Sequence, residues 1–291
     1  MSDAQQIRVM RAVVLFAILA FFIIPAKGVF EPHKKGNFTA VFEEYSPLSD
    51  TKSISSRMMI SLEQISPYKK HNYDIEQESF EVYVPDSYDS NTPFGLMVWI
   101  SPSPDGGVKH YPGGHQLMDK HKLIWVGANN SGNKTSLYRC RIPLALDAAY
   151  NMQKLYNIDP NRVYVAGLSG GGRVASITAF HHSDVYNGGI FIIGASYWEG
   201  MRVPGKNSIW RASCMKPRPK FLMRAKKFGR YVLLTGDNDG NRLEMHTYYE
   251  RGYSKFLNDV LYIQVPRMGH EPPPAEEFDK ALEYIDKPLS Q

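Results

Sequence analysis

Cysteine is scarce in this 291-residue chain. Cys140 and Cys214 are the only two, too few for a disulfide-stapled scaffold or a four-cysteine zinc cluster. No apolar run reaches the roughly 20 residues that a membrane-spanning helix needs, which excludes a polytopic membrane protein. No internal repeat recurs, so a solenoid is excluded. Neither sign of charge dominates: 34 basic against 29 acidic residues leave +5, too little to argue for a nucleic-acid partner. What is present is an ordinary globular composition, 43% apolar and 22% charged. Disorder and collagen-like repeats are excluded, and the length suits one α/β domain.

The first 28 residues stand apart. Residues 12–24 carry no polar side chain, Arg8 and Arg11 precede them, and Ala26-Lys27-Gly28 offers small residues ahead of Val29. A basic start, a short apolar run and a small-residue end describe a secretory signal peptide. The alternative is an uncleaved membrane anchor. Cleavage after Gly28 would remove three bases and one acid, leaving 263 residues and a charge of +3. The expected location is secreted or periplasmic, with no stable membrane insertion after cleavage. Export permits a Cys140–Cys214 disulfide, which could contribute about 4 kcal/mol through loop closure. Two separate buried thiols are the alternative. Asn37, Asn129 and Asn133 open glycosylation sequons, relevant only in a eukaryotic secretory pathway.

Residues 29–75 are polar and weakly periodic, and read as an N-terminal surface segment with one or two edge strands. From residue 76 to 291 the pattern sharpens into a single catalytic-size domain. Ser79 to Val84 alternates as a half-buried strand does. Leu96–Ile100, Leu123–Val126, Val163–Ala166, Ile190–Ile193, Tyr231–Leu234 and Leu261–Val265 are short apolar runs, as in strands buried on both faces. Between them, Ile142–Tyr156, Gly172–Phe180, Tyr248–Leu257 and Ala275–Ile285 have helical spacing. The fold class expected is α/β: a mostly parallel sheet with helices on both faces. The Asp159-Pro160 pair reads as a break. Tyr197 to Arg230 is the least regular stretch, either an insertion over a site or a connector with one helix.

Chemistry concentrates at one turn. Gly167-Leu168-Ser169-Gly170-Gly171 follows the Val163–Ala166 strand and opens a helix. This is a Gly-x-Ser-x-Gly nucleophile elbow in the context it requires. The serine takes a strained backbone turn, and side chains two positions to either side would collide with the strand and helix. The N–H of Gly170, at a helix N-terminus, is placed for a developing oxyanion. A phosphate loop would need Gly-Lys-Ser/Thr after the glycines. Here Arg173-Val174 follows Gly172.

A serine hydroxyl needs a base, and the base needs an orienting acid. With this elbow the chain order is Ser, acid, His. Asp239 and His270 lie past the carboxyl ends of two later strands, where such sheets place their ligands. Ser169, Asp239 and His270 are the expected triad. Asp237 is the alternative acid, better suited to capping its turn. A calcium loop at Asp237-Asn238-Asp239-Gly240 is rejected, since its sixth and twelfth positions hold Arg242 and Tyr248 rather than Gly and Glu. A second oxyanion donor should come from the loop after Leu96–Ile100. Pro102 and Pro104 have no N–H to give, so the backbone of Ser101 or Ser103 is the candidate. Among the other histidines, His246, His33, His71 and His121 read as surface residues, and the adjacent His181 and His182 as solvated or capping ones. His110 and His115 flank a Tyr-Pro-Gly-Gly loop without an evident third metal ligand, so no metal is expected. Tyr111, Tyr197 and Trp198 could line an aromatic cleft or simply be core.

The stretch from Tyr156 to Gly172, with its Asn-Ile-Asp-Pro-Asn-Arg-Val-Tyr-Val-Ala-Gly-Leu-Ser-Gly-Gly core, resembles the secreted esterases related to polyhydroxybutyrate depolymerases and feruloyl esterases. The resemblance covers about Phe80 to Ile285 and implies the α/β-hydrolase fold. It implies carboxylic ester hydrolysis through an acyl-enzyme, with Ser169 as nucleophile, Asp239 and His270 as its partners, no cofactor, and a small-molecule or polymeric ester as substrate. The family's common His-Gly oxyanion motif is missing here. A serine peptidase or acyltransferase on the same scaffold, or an inactive binding module, are the competing readings. The 263 residues leave no room for the large extra domain that peptidases of this kind usually carry.

Overall fold

The computed structural model describes residues 32–66 and 68–287. The apolar run at residues 12–24, read as an export signal or anchor, lies outside them. Among the described residues no helix is long and apolar enough to cross a membrane.

In chain order the elements are β1 (Gly36–Ala40), α1 (Thr51–Met58), α2 (Leu62–Ile65), β2 (Phe80–Val84), β3 (Phe94–Ile100), α3 (Gly114–Lys120), β4 (Leu123–Ala128) and α4 (Ile142–Leu155). Then come β5 (Ile158–Leu168), α5 (Gly170–His181), β6 (Gly188–Ile192), a two-residue pair β7 (Met201–Arg202) and β8 (Ile209–Trp210), and α6 (Pro219–Phe228). β9 (Arg230–Gly236), α7 (Arg242–Tyr248), α8 (Ser254–Phe256), β10 (Val260–Val265) and α9 (Ala275–Ile285) complete it. Eight strands form one sheet in the order β1-β2-β4-β3-β5-β6-β9-β10. β1 and β2 run antiparallel to their neighbours, and the other six are parallel. The mostly parallel α/β sheet expected from the sequence is the one observed.

Side chains alternate across a strand, so a continuous apolar run feeds two cores at once. Leu96, Val98 and Ile100 of β3 face one layer, packed with residues of α4 and α5. Met97 and Trp99 face the other, against Met118 of α3 and Phe278 and Leu282 of α9. Trp99 stacks on Trp125 with centroids 4.7 Å apart, an arrangement typically adding about 1 kcal/mol beyond area burial.

Several expectations are corrected here. β5 starts at Ile158, ahead of the expected Val163. Its register against β3 shifts between Phe94 and Leu96, and the bulge absorbs Pro160, with Asn161 N donating to Asp159 Oδ1 at 2.8 Å. The helix read from Tyr248 begins at Arg242 and passes through a wide turn at Tyr249–Tyr253. Its first turns hide their period because only Met245, Thr247 and Tyr248 are buried. The irregular stretch after Tyr197 holds the β7–β8 hairpin and α6. Tyr111, Tyr197 and Trp198 are core residues, 4–7% exposed. Cys140 and Cys214 are unbridged, and burial pushes their thiols up to about 11 and about 12.

The histidines differ most. His181 and His182, expected to be solvated or capping, are fully buried. The end of α5 is tucked under α6: Ser183 Oγ donates to Phe221 O at 2.7 Å and Arg224 Nε to Ser183 O at 2.8 Å. His121 is likewise no surface residue: its ring meets Asp279 at 2.7 Å. His71 is half-buried and stacks on Tyr45 at 3.7 Å, whereas His33 is exposed as expected, its ring 3.0 Å from Tyr88 Oη.

Burial pushes His181 down to about 4 and His182 down to about 3, from an ordinary 6.5. The unfolded chain therefore takes up these protons first. Stability is complete above pH 6.5 and falls as pH drops toward the folded values. Asp147, pushed up to about 6 by burial, acts in the opposite sense. Neither ring nitrogen of His182 has a hydrogen-bond partner, so phenylalanine can replace it without orphaning another group. Between pH 7 and pH 4, His182→Phe is expected to lose about 3 kcal/mol less stability than the parent. Urea titrations at the two pH values check this, and parallel pH profiles would refute it.

Candidate active site

Ser169 sits at the tip of β5, between strand and helix, with φ 54° and ψ −119°. For a residue bearing a Cβ this is a strained conformation. The surrounding structure holds it: Ser169 N donates to Ile192 O at 2.8 Å, and Arg173 N to Ser169 O at 3.1 Å. The glycines explain why the turn can close. A Cβ on Gly167 would meet Gly171 and Ile100 backbone, one on Gly171 would overlap the Ile100 carbonyl, and one on Gly172 would meet the Gly194 carbonyl. The collisions expected from the motif are those observed. Gly170 is the first residue of α5, where backbone N–H groups have no partner within the helix.

His270 and Asp239 arrive from the other side. The loops after β9 and β10 are zipped together, with Asp237 N donating to Val265 O at 3.0 Å and Asn238 N to Met268 O at 3.1 Å. His270 Nε2 lies 2.8 Å from Ser169 Oγ, and its Nδ1 lies 2.8 Å from Asp239 Oδ2. The Asp239 side chain is fully buried, while that of His270 is 49% exposed. So the three residues picked from the sequence meet in one hydrogen-bonded line. Asp237 instead buries Oδ1 without a hydrogen-bond partner.

Two residues not singled out from the sequence support Asp239. Asn241 N donates to Asp239 Oδ1 at 2.5 Å, and its side-chain amide donates to Ile193 O at 2.8 Å. Arg173 acts through Asn241, donating to its Oδ1 at 3.4 Å while pairing with Glu244 and donating to Ala195 O at 2.9 Å. Only the Asp-x-Asn spacing of a local side-chain turn hinted at Asn241. A cleft of about 430 Å³ opens between the β7–β8 hairpin and Gly240, Asn241 and Glu244.

On the Gly170 side, the loops after β3 and β4 lie against each other. Arg141, 5% exposed, donates to Ser131 O at 2.7 Å and Ser101 O at 2.9 Å. Burial pushes its guanidinium down to about 10, still charged at neutral pH. Ser103 N donates to Ser101 Oγ at 3.1 Å, which spends one of the two expected second donors. Ser101 is 1% exposed. His110 Nε2 meets Asp105 at 2.7 Å and His115 Nε2 meets Asn37 Oδ1 at 2.9 Å. Among the described residues no three His, Cys, Asp or Glu side chains converge as metal ligands.

No family model and no curated protein matches the chain in sequence. Solved structures do match in shape. FphF, a fluorophosphonate-binding serine hydrolase of Staphylococcus aureus, superposes with a TM-score of 0.54 at 14% identity, covering 72% of this chain and 93% of its own. The chain has the α/β-hydrolase fold. Other proteins similar to this α/β-hydrolase-fold chain include esterase 2 of Thermogutta terrifontis phosphonylated by sarin (TM-score 0.53, 14% identity, 73% and 89% coverage). The feruloyl esterase module of Clostridium thermocellum, as a mutant complexed with sinapinate, matches at 0.53 with 16% identity, 74% and 85% coverage. At such identities the likeness establishes the α/β-hydrolase fold alone.

Proposed function

We propose that this chain is a serine hydrolase that cleaves carboxylic esters through an acyl-enzyme. The observation that carries the reading is the continuous Ser169–His270–Asp239 line, with both hydrogen bonds at 2.8 Å. Ser169 Oγ attacks the ester carbonyl carbon while His270 Nε2 takes its proton. Asp239 accepts from Nδ1–H, fixing the tautomer and stabilising the imidazolium. The Gly170 N–H meets the oxyanion. The intermediate collapses, His270 returns the proton to the leaving alkoxide, and the alcohol departs. Water then repeats the sequence on the acyl-enzyme, releasing the acid and restoring Ser169.

The half-exposed His270 leaves the reacting line open to small esters and accessible polymer ends. The esterases and serine hydrolases that share the fold support the same class. An inactive binding module is disfavoured by the intact line of hydrogen bonds.

The acid assignment is tested by a pair of substitutions. Asp239→Asn keeps the shape but fixes the wrong tautomer, and should lower kcat on p-nitrophenyl acetate by about 10⁴-fold. Asp237→Asn should stay within about threefold of the parent. The reverse ranking would move the acid to Asp237. Loss in neither would remove the acid's role.

A further inference from the structure

We propose that Asn133 is a catalytic residue of this site, its side-chain amide meeting the ester carbonyl oxygen beside the Gly170 N–H. The proposal rests on the ester-hydrolase reading above. Its first support is position. The space a Gly170 side chain would fill is taken by the Asn133 carboxamide, with Cγ 2.7 Å and Nδ2 2.9 Å from where that Cβ would stand, and Oδ1 closer still. A residue's Cβ lies about 2.5 Å from its own amide nitrogen. Asn133 Nδ2 is therefore within about 5.4 Å of the Gly170 nitrogen, a span that one oxygen can bridge with two hydrogen bonds of about 2.9 Å.

The second support is that this amide is uncommitted. Asn133 is exposed, and its side chain has no hydrogen-bond partner among the described residues. The other sequon asparagines are occupied: Asn129 Nδ2 donates to Ser79 Oγ and Glu81 Oε1, both at 3.1 Å, and Asn37 Oδ1 meets His115. The third support is rigidity. Asn133 N donates to Pro102 O at 2.9 Å and Thr135 N to Gly132 O at 3.0 Å. Gly132 packs so tightly on the Ser103 carbonyl carbon that a Cβ would stand 2.8 Å from it, and Arg141 pins Ser131 and Ser101 from below. The backbone that carries the amide is held in this way, so only the Asn133 side-chain torsions are left to adjust when charge develops. In the loop after β3 two members are prolines, Ser103 N–H is spent on Ser101 Oγ, and Ser101 itself is 1% exposed. Asn133 also opens a sequon, and a glycan on that nitrogen would fill the same space.

The test is steady-state hydrolysis of p-nitrophenyl acetate by the full chain, with fluorophosphonate labelling in parallel. Asn133→Ala should lower kcat by about 10²-fold, the range for loss of one oxyanion donor, with KM within about threefold and an unchanged melting temperature. Asn133→Asp, of the same shape but bringing negative charge, should be at least as impaired. A kcat within threefold of the parent in Asn133→Ala, with hydrolysis still dependent on Ser169, overturns the proposal and leaves the esterase reading intact. A raised KM at unchanged kcat also overturns it, because that is the mark of uniform binding. Hydrolysis that survives Ser169→Ala would overturn both.

Discussion

Replacing Ser169 by alanine is expected to reduce ester hydrolysis by at least about 10⁴-fold while leaving the fold in place. The variant removes the nucleophilic oxygen and nothing else: the Cβ stays, and the strained φ of 54° is as costly for alanine as for serine. The melting temperature should therefore hardly move. What survives is the contribution of substrate binding and of the donors near Gly170, which is small beside the loss of the covalent route. A fluorophosphonate probe should label the parent once and the variant not at all. Labelling that persists, or a rate within a hundredfold of the parent, would place the nucleophile elsewhere.

Gly171→Ala should have the largest effect on stability, a loss of about 3 kcal/mol or failure to fold. A Cβ there overlaps the Ile100 carbonyl oxygen and approaches Ser101 backbone. Ile100 ends a fully buried strand and is held in register with Gly167 of β5, and Ser101 just beyond it is 1% exposed, so these atoms have little room to move. Gly240→Ala is the control. A Cβ there meets nothing within 4 Å, and the change should stay within about 0.5 kcal/mol. Chemical denaturation of both variants checks the contrast, and equal midpoints would refute the packing account.

The sheet and the hydrogen-bonded meeting of Ser169, His270 and Asp239 were legible because each rests on a local rule. Continuous apolar runs mark strands covered on both faces, and the elbow needs its glycines within five residues. The chain order of serine, acid and histidine then left few choices. What escaped was set by tertiary contact. Nothing around His181-His182 announces that α6 will close over them. Asn241 and Asn133 are ordinary polar loop residues until two loops, distant in sequence, come together. Arg141 lies at a helix start where an exposed cation would be unremarkable; only its two carbonyl partners show it to be a clamp. Pro160 signalled a break, and the bulge that absorbs it keeps the strand going.

The three groups of the proposed reacting line hang from strands of unequal security. Ser169 ends β5, at the centre of the sheet, whereas His270 follows β10, the outermost strand, most of whose residues are only partly covered. Edge elements with little coverage open at lower free energy than the core. Fraying of β10 alone would carry the imidazole away from the serine while the central strands stayed paired. Loss of the proposed activity on heating is therefore expected to track the opening of this border strand and to precede loss of the central strands' signal, with activity returning on cooling.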